Sequence, residues 1–481
     1  NFDAFGRAQT TTYLDGSTVN RTYGCCGVES ETDRDGIVTT YAYDDFKRLS
    51  YSVRDGITTL YSYDALGNQT SVTVKGRNNT EIATSTEYVN GEVSATVDAL
   101  NNRTTYARQY AISGEVTTYT ETVTNPDNST QVTTSVNGAQ TSVGGTAVHP
   151  QSYEYGANWQ RTLPQNVTGY SDLLGRQYRT VYADNSEAMQ YYNSKSQVVK
   201  SVTPAGRVTL YEYDTLGRQT TQAIDMNAYD AIDTADIVTT TAYGYATYGG
   251  KTVSVTTVTR SQGNDSAVIS IARQSVDGLE SWSTDLAGLI THTKLERLGN
   301  SATRQTVTNP DGTKTITNMT NGKVTSVQQV NSDDSLGNLN TYSYDEFNRV
   351  IGVTETNDQT TVNTTASTYN ANGAVLTQTV NGQTTSYVYD SMGRQISVTA
   401  PGNAVSNYTY FPPGELQRVD GATYPVEYTY NGLGQKATMT TFKDTNTPEV
   451  TSWTYNNRGF MIAKIYADNN GPTYTYHADG Q

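Results

Sequence analysis

Polar and apolar residues alternate with a period of two along most of this chain, a pattern typical of half-buried β-strands. Residues 251–258 are a clear example and read Lys-Thr-Val-Ser-Val-Thr-Thr-Val. Asp-Gly and Asn-Gly pairs interrupt the alternation at Asp15-Gly16, Asp55-Gly56, Asn381-Gly382 and Asp420-Gly421. Such pairs are strong hairpin signals, so the pattern predicts short strands joined into an antiparallel meander.

A second signal is the recurring unit Tyr-x-Tyr-Asp-x-x-Gly-Arg. Good copies start at Tyr61, Tyr211 and Tyr387, and looser copies occupy 41–48, 170–176, 342–349, 428–435 and 474–481. Between residues 344 and 476 the second tyrosine of the unit recurs every 20 to 25 residues. The residues that we assign to the repeat are Tyr41, Tyr43, Asp44, Tyr61, Tyr63, Asp64, Gly67, Tyr211, Tyr213, Asp214, Gly217, Arg218, Tyr342, Tyr344, Asp345, Tyr387, Tyr389, Asp390, Gly393 and Arg394.

Each position of the unit has a physical reason. The two tyrosines face the same side of a strand, so rings of successive units are expected to stack as a ladder. The aspartate can accept a hydrogen bond from the backbone two residues later and start a turn. Glycine provides a positive φ, and Asn101 and Asn348 replace it where it is absent. The arginine is expected to pair with the aspartate in solvent, where such a pair stabilises little.

One unit cannot fold alone, because two buried tyrosines contribute roughly 8–10 kcal/mol whereas ordering its residues costs at least roughly 20 kcal/mol. Stability must come from stacked neighbours. We therefore predict an all-β fold, a repetitive antiparallel β-hairpin meander coiled into a spiral barrel, shell or tube.

The array is expected to be continuous over 1–481, and both ends of the sequence lie within repeat units. Repeats are regular in 1–120 and 334–481, regular to loose in 121–224 and degenerate in 225–333. Residues 122–127 and 306–311 carry the same Thr-Val-Thr-Asn-Pro-Asp sequence, 184 residues apart. This longer period indicates either one turn of a spiral or an old duplication.

Composition narrows the class of protein. The chain has 38 Tyr against 7 Phe, and a net charge of -15 over 481 residues. An acidic protein does not suit nucleic acid as a partner, since phosphate binding needs a basic face. No apolar run is long enough to span a membrane. A Thr-rich, acidic β-protein with two cysteines fits an extracellular or cell-surface location, secreted and bacterial.

These copies of Tyr-Asp-x-x-Gly-Arg resemble the YD-repeat superfamily, which includes Rhs proteins, insecticidal toxin complex components and teneurins. The resemblance covers nearly the whole chain and is weak in the middle third. It implies a hollow β-spiral shell with structural motif residues, and in toxin members an enclosed C-terminal effector. The Asp-Pro self-cleavage segment of toxin members is missing here.

Few residues outside the repeat carry chemistry. Cys25 and Cys26 are flanked by glycines, and a vicinal disulfide, two unlinked thiols and a metal or redox role remain open. His149, His292 and His477 show no ligand spacing, and the pair at Asp333 and Asp334 is one of many turn acids. We predict no catalytic residues, no metal and no cofactor.

Three hypotheses follow. The leading one is a non-catalytic wall or scaffold segment of a larger secreted or cell-surface protein, able to form filaments, whose partners are neighbouring repeats or copies of itself. The alternatives are a toxin-delivery cocoon around an effector outside this sequence, and an adhesin that binds surface glycans through exposed tyrosines.

Overall fold

The computed structural model describes residues 1–357, 360–421, 423–442 and 447–480. This part of the chain consists of strands and turns and contains no helix, so no helix in it could cross a membrane. The prediction of an all-β antiparallel meander is confirmed.

The first strands are Thr10–Thr12 (β1), Thr18–Tyr23 (β2), Val28–Thr32 (β3), Val38–Tyr43 (β4), Leu49–Arg54 (β5), Ile57–Tyr63 (β6), Gln69–Lys75 (β7), Glu81–Val89 (β8), Glu92–Val97 (β9), Arg103–Ser113 (β10), Val116–Thr124 (β11), Thr130–Val136 (β12), Ala139–Gly144 (β13) and Gln151–Tyr155 (β14). They are followed by Trp159–Leu163 (β15), Val167–Ser171 (β16), Gln177–Val181 (β17), Glu187–Tyr192 (β18), Val198–Val202 (β19), Val208–Tyr213 (β20), Gln219–Ile224 (β21), Ile237–Tyr248 (β22), Lys251–Gln262 (β23), Asp265–Ser275 (β24), Glu280–Thr284 (β25), Ile290–Gly299 (β26), Ala302–Thr308 (β27) and Lys314–Thr320 (β28). The last strands are Lys323–Val330 (β29), Leu336–Tyr344 (β30), Val350–Asn357 (β31), Thr360–Tyr369 (β32), Val375–Val380 (β33), Gln383–Tyr389 (β34), Gln395–Thr399 (β35), Val405–Tyr410 (β36), Leu416–Asp420 (β37), Val426–Tyr430 (β38), Lys436–Phe442 (β39), Pro448–Tyr455 (β40) and Met461–Ile465 (β41).

Consecutive strands pair antiparallel, and many pairs shift register at the second tyrosine of a unit. In β4 and β5, Tyr43 pairs with Leu49 while Ala42 pairs with Tyr51, so Ser50 is a bulge. The same shift occurs at Tyr63 and Tyr344. A bulge adds local twist to a hairpin, so each unit bends the sheet at the same place.

The described chain divides into two compact units. Unit 1 comprises 1–101, 241–259 and 267–386, and unit 2 comprises 102–240, 260–266 and 387–481. Each unit therefore combines an early run of strands with a late run, β1–β9 with β25–β33 in unit 1 and β10–β21 with β35–β41 in unit 2. The prediction of one continuous array stays a prediction.

In unit 1 the early and late runs meet at their turns. Asp55 lies 2.6 Å from Lys323 Nζ and accepts a hydrogen bond from Asn321 at 2.9 Å. Further along, the amide of Asn372 donates to Asp98 at 2.6 Å. Ion pairs and side-chain amides therefore fasten one run to the other.

Unit 2 has the same kind of contact between its runs. Arg394 donates to Asp127 at 3.0 Å, and the backbone N–H of Ala205 donates to Asp479 at 2.7 Å. Across both units these contacts join residues 266 to 274 positions apart. The 184-residue period is shorter than this separation, and both interpretations of that period stay predictions.

The core is thin. Val19, Ile37, Ala95, Leu210 and Val253 are among the few apolar residues that are buried, and most residues are half-buried. Such a layer depends more than a globular core does on polar contacts that hold turns in place.

Asp15 provides a test of those contacts. Its side chain is inaccessible to solvent and lies 2.7 Å from Arg34 and 3.3 Å from Arg297 in the late run. Burial alone would raise the pKa of this carboxyl, but hydrogen bonds from Ser17 and Arg34 outweigh it and lower the pKa from 3.8 to about 2.

Because the folded-state pKa of Asp15 lies below the unfolded value, its contribution to stability is present above pH 3.8 and is lost as the pH falls through about 2. We expect Asp15→Asn to lower the urea midpoint at neutral pH and to flatten its decline over that acid range. Parallel urea titrations of both proteins measure this. Equal acid slopes would contradict the assignment.

Candidate functional site: the joint between repeat units

The predicted second tyrosines occupy equivalent places. Tyr43, Tyr63, Tyr213, Tyr344 and Tyr389 each form the last residue of a strand, β4, β6, β20, β30 and β34. The first tyrosines, at 41, 61, 211, 342 and 387, lie two residues earlier and are half-buried on the same face. Residues 62, 212, 343 and 388 between the two tyrosines are exposed, which fits the prediction that both rings share one face.

The aspartate after each second tyrosine organises the turn. In the unit that ends β30, one carboxylate oxygen of Asp345 accepts from the backbone N–H groups of Phe347 and Arg349 at 2.9 and 2.8 Å. The other accepts from Arg349 Nε at 2.6 Å. Asp44, Asp214 and Asp390 make the same three contacts. We call this arrangement the clip.

The clip is more buried than the sequence predicted. The side chain of Asp345 is 8% exposed and that of Arg349 is 26% exposed, so the prediction of a solvent-exposed pair is wrong here. At Asp44, burial alone would raise the pKa of the carboxyl, but the hydrogen bonds from Arg48 outweigh it and lower the pKa. The second carboxylate oxygen of Asp44 accepts from Arg48 Nε at 2.7 Å, and the two side chains are 25% and 27% exposed.

The third residue after the aspartate adopts a positive φ. Gly67, Gly217 and Gly393 have φ of 92°, 84° and 77°, as predicted. Asn348 and Lys47 occupy the position at 67° and 64°. This left-handed residue completes a turn in which the N–H of Asp44 donates to the carbonyl of Arg48.

The arginine also reaches forward to the next unit. Arg48 Nη1 donates to the carbonyl of Asp64 at 3.1 Å, and its guanidinium lies 4.5 Å from the centre of the Tyr63 ring. Arg349 makes the equivalent contacts with the carbonyl of Asn370 at 2.8 Å and the ring of Tyr369 at 5.0 Å. One side chain therefore closes its own turn and stacks on the following unit.

The tyrosine hydroxyl also donates a hydrogen bond to the preceding repeat unit. The hydroxyl of Tyr63 donates to the carbonyl of Leu49 at 2.9 Å, beside the bulge at Ser50. Equivalent bonds run from Tyr43 to Val28, from Tyr213 to Val198 and from Tyr344 to Val324. Burial raises the pKa of the Tyr344 hydroxyl. We call the ring, the guanidinium above it and the carbonyl it binds the joint.

The joint corrects the predicted ladder of stacked rings. Between Tyr43 and Tyr63, and between Tyr344 and Tyr369, an arginine covers the later ring and provides the link between units. The rings are half-buried rather than exposed to bulk water, but for these pairs the predicted ring-to-ring stacking is replaced by a contact between arginine and ring.

Sequence reasoning missed a neutral form of the clip. Asn431 accepts from the N–H groups of Leu433 and Gln435, and its amide donates to the Gln435 side chain at 2.9 Å. Gln435 then donates forward to the carbonyl of Gly459 at 2.8 Å. Asn193 and Gln197 do the same. The shared spacing of four residues after a strand-ending tyrosine was the available signal.

Cys25 and Cys26 form a disulfide with one another, so the predicted vicinal disulfide is the arrangement that the structure contains. The pair occupies a turn one residue shorter than the clip turn, closed by a hydrogen bond from the N–H of Gly24 to the carbonyl of Gly27. A Cβ on Gly27 would lie 2.5 Å from the Tyr43 hydroxyl, so only glycine fits beneath that ring.

The three histidines are scattered. His149 contacts Glu415 between the runs of unit 2, whereas His292 bonds Glu280 at 3.0 Å and stacks on Trp282 in unit 1. His477 stands at a clip position, where its carbonyl accepts from Gly480. In the described ranges, no three side chains of His, Cys, Asp or Glu converge as a metal site requires.

The repeated joint and clip on antiparallel hairpins define the chain as a β-repeat protein. A sequence model of the RHS repeat family matches residues 192–225 and 369–405. Both segments contain a clip turn and the strands around it. Over these two segments the chain is similar to the RHS repeat family, as the motif predicted.

One solved structure supports the fold, and others match less closely. The crystal structure of TcdB2-TccC3-TEV matches with a TM-score of 0.50 and 14% identity, over 98% of this chain and 32% of that one. TcdB2-TccC3-Cdc42 matches at 0.49 and 13%, over 99% and 33%. A Tc holotoxin pore from Photorhabdus luminescens matches at 0.43 and 13%, over 94% and 30%.

The chain therefore spans about a third of the length of these proteins. Among curated protein sequences, none matches it significantly. The first of these structural matches confirms the predicted fold class over nearly the whole chain.

Tyr344→Phe tests the backward half of the joint. The change leaves the ring but removes the donor to the Val324 carbonyl, so we expect the free energy of unfolding to fall by about 1 kcal/mol. Chemical denaturation measures it. Tyr342→Phe is the matched control, because the Tyr342 hydroxyl makes no hydrogen bond within the described ranges and its loss should be neutral.

Asp345→Ala tests the clip. It removes the acceptor for two N–H groups and one guanidinium, so we expect a loss of about 1–3 kcal/mol in chemical denaturation. The double change Asp345→Asn with Arg349→Gln copies the clip of Asn431 and Gln435 and should recover most of that loss. A double variant as unstable as the alanine variant would refute the equivalence of the two clips.

Proposed function

We propose that this chain is a structural wall segment of a larger protein and that it works by enclosing or scaffolding other polypeptide rather than by turning over a substrate. The observation that carries this proposal is the joint, which recurs at Tyr23, Tyr63, Tyr192, Tyr369 and Tyr410. A wall needs units that cannot slide or separate, and the joint opposes both movements.

Two sets of contacts support such a wall. Along each run, ladder hydrogen bonds and joints link neighbouring hairpins. Between runs, contacts such as Asp55 with Lys323 and Asp127 with Arg394 link turns. Because the two sets act in different directions, force or solvent must break both kinds to open the layer.

The fold match adds a specific candidate within this proposal. TcdB2-TccC3 structures share the fold, and one related structure is of a Tc holotoxin pore. We propose that the wall encloses an effector that lies outside this sequence. The disulfide at Cys25 and Cys26 suits an oxidising location, which supports secretion or surface display.

Enclosure can be tested in the parent protein. Native digestion should spare any polypeptide that the wall surrounds, and the same polypeptide should be cleaved once urea opens the wall. Equal digestion before and after opening would reject enclosure while leaving the scaffold role standing.

Lys323→Ala tests the wall itself. It removes the ion pair with Asp55, whose two side chains are 20% and 12% exposed. We expect amide exchange in residues 55–58 to accelerate on the order of tenfold, because local opening becomes easier. Lys314→Ala is the control, since the Asp334 side chain that Lys314 pairs with is 76% exposed. Equal effects of both changes in hydrogen-exchange mass spectrometry would contradict the proposal.

A further inference from the structure

The turn between β2 and β3 is closed in a different way from the clip turns. Residues 24–28 read Gly-Cys-Cys-Gly-Val, so they supply neither a carboxylate nor a guanidinium. The N–H of Gly24 donates to the carbonyl of Gly27 at 2.9 Å, and the disulfide joins the two residues between them. This turn therefore relies on sulfur where the clip turns rely on side-chain hydrogen bonds.

The unit that follows is linked to this turn. The hydroxyl of Tyr43 donates to the carbonyl of Val28 at 3.0 Å. The ladder between β3 and β4 comprises Ser30 to Thr32, so the tyrosine bond ties the start of β3 to the end of β4. A Cβ on Gly27 would lie 2.8 Å from Cζ of the same ring, which places the turn directly beneath it.

This link has less support than the equivalent links on either side of it. One arginine lies 4.5 Å from the centre of the Tyr23 ring, and another lies 4.5 Å from the centre of the Tyr63 ring. The sequence of the cysteine turn contains no arginine to place over Tyr43. The bond from Tyr43 to the Val28 carbonyl therefore depends on how the turn positions that carbonyl.

A disulfide between neighbouring residues acts on its own turn. The stabilisation that a disulfide gives through the unfolded chain grows with the number of residues it encloses, and Cys25 and Cys26 are adjacent. Its effect is therefore on the path of the chain into β3 rather than on the fold as a whole. Cys25 is exposed, so a reductant in solution can reach the bond.

The other end of β3 lies at a contact between the two runs of unit 1. β3 is five residues long and leads into the turn of Asp35, whose carboxylate lies 3.3 Å from Arg297 in the late run. A short strand that is released at its first residue has fewer interactions left to break before that contact opens. The cysteine turn is thus placed where a local change can reach the contact between runs.

We propose that the disulfide of Cys25 and Cys26 is a redox-sensitive lock. In the oxidised protein it holds the Val28 carbonyl beneath Tyr43, and reduction by a dithiol releases that link. The inference rests on the proposed wall function and adds a condition under which the wall opens. A wall that is closed in an oxidising location loosens at this turn when it enters a reducing one.

The reaction is a thiol–disulfide exchange. A thiolate of the dithiol attacks Sγ of Cys25, the bond between the two cysteines breaks, and the sulfur of Cys26 leaves as a thiolate that takes up a proton. The second thiolate of the dithiol then attacks its own sulfur in the mixed disulfide, and Cys25 leaves in the same way. Two electrons and two protons pass to the cysteines, and the dithiol becomes a disulfide.

Hydrogen-exchange mass spectrometry with and without dithiothreitol tests the lock. In the wild-type protein we expect the amides of residues 28–32 and 38–43 to exchange on the order of tenfold faster after reduction, because the link between the two strands opens more often. Residues 57–63, whose joint follows the clip of Asp44 and Arg48, are the internal control and should not change. Equal exchange of residues 28–32 in both states would overturn the proposal.

Two variants separate the lock from a general effect of the reductant. Cys25→Ser with Cys26→Ser should exchange in residues 28–32 as fast as the reduced wild type, and dithiothreitol should not change it further. Tyr43→Phe removes the link itself, so its exchange should already be fast in the oxidised state and should respond less to reduction. A serine variant that still responds, or a phenylalanine variant that responds as fully as the wild type, would rule the lock out.

The parent protein separates this result from the wall proposal. If residues 28–32 respond to reduction but the polypeptide beyond this sequence is digested equally before and after urea, enclosure fails and the lock stands. If that polypeptide is protected and residues 28–32 do not respond, the lock fails and the wall proposal stands.

Discussion

The structure depends on a tyrosine ring that, in each joint, contacts the preceding repeat unit. Each joint holds a tyrosine between the guanidinium of the preceding unit, which lies on its face, and a carbonyl of that unit, which accepts its hydroxyl hydrogen, as at Tyr63 with Arg48 and Leu49. Phenylalanine could supply the face but not the donor. This requirement gives a physical reason for a composition with 38 Tyr and 7 Phe.

The bulge explains why a side chain must supply that donor. An extra residue such as Ser50 interrupts the regular exchange of ladder hydrogen bonds next to Leu49. A half-buried carbonyl without a partner would cost free energy, and water has little access beneath a ring. The tyrosine hydroxyl therefore supplies a hydrogen bond to the carbonyl that the bulge leaves without a ladder partner. The same hydrogen bond links consecutive repeat units.

The sequence predicted the parts of the unit that depend on local geometry. Side chains of a strand alternate with a period of two, so Tyr61 and Tyr63 are expected on one face. The short side chain of Asp64 can accept hydrogen bonds from the backbone of its own turn, whatever surrounds that turn. The partner of the ring was not predictable in the same way, because strand twist decides whether the next ring or the previous arginine lies above it. The distance between docked runs also depends on accumulated twist, and the 184-residue match between 122–127 and 306–311 did not reveal it.

The turn at Cys25 and Cys26 lacks the clip but keeps the hydrogen bond from tyrosine to carbonyl. It has glycine in place of both the carboxylate and the guanidinium, and it is one residue shorter, since the N–H of Gly24 donates to the carbonyl of Gly27. Tyr43 still donates to Val28 directly beyond it. A disulfide within the turn here takes the place that a hydrogen-bonded clip has elsewhere.

Asp with Arg, Asn with Gln and a cystine are thus three ways to close one turn, and the bond from tyrosine to carbonyl is common to all three. A chain built in this way tolerates change in its turns as long as the hydroxyl finds its carbonyl. The clip shapes the turn of each repeat unit, whereas the hydrogen bond from the tyrosine hydroxyl links consecutive repeat units.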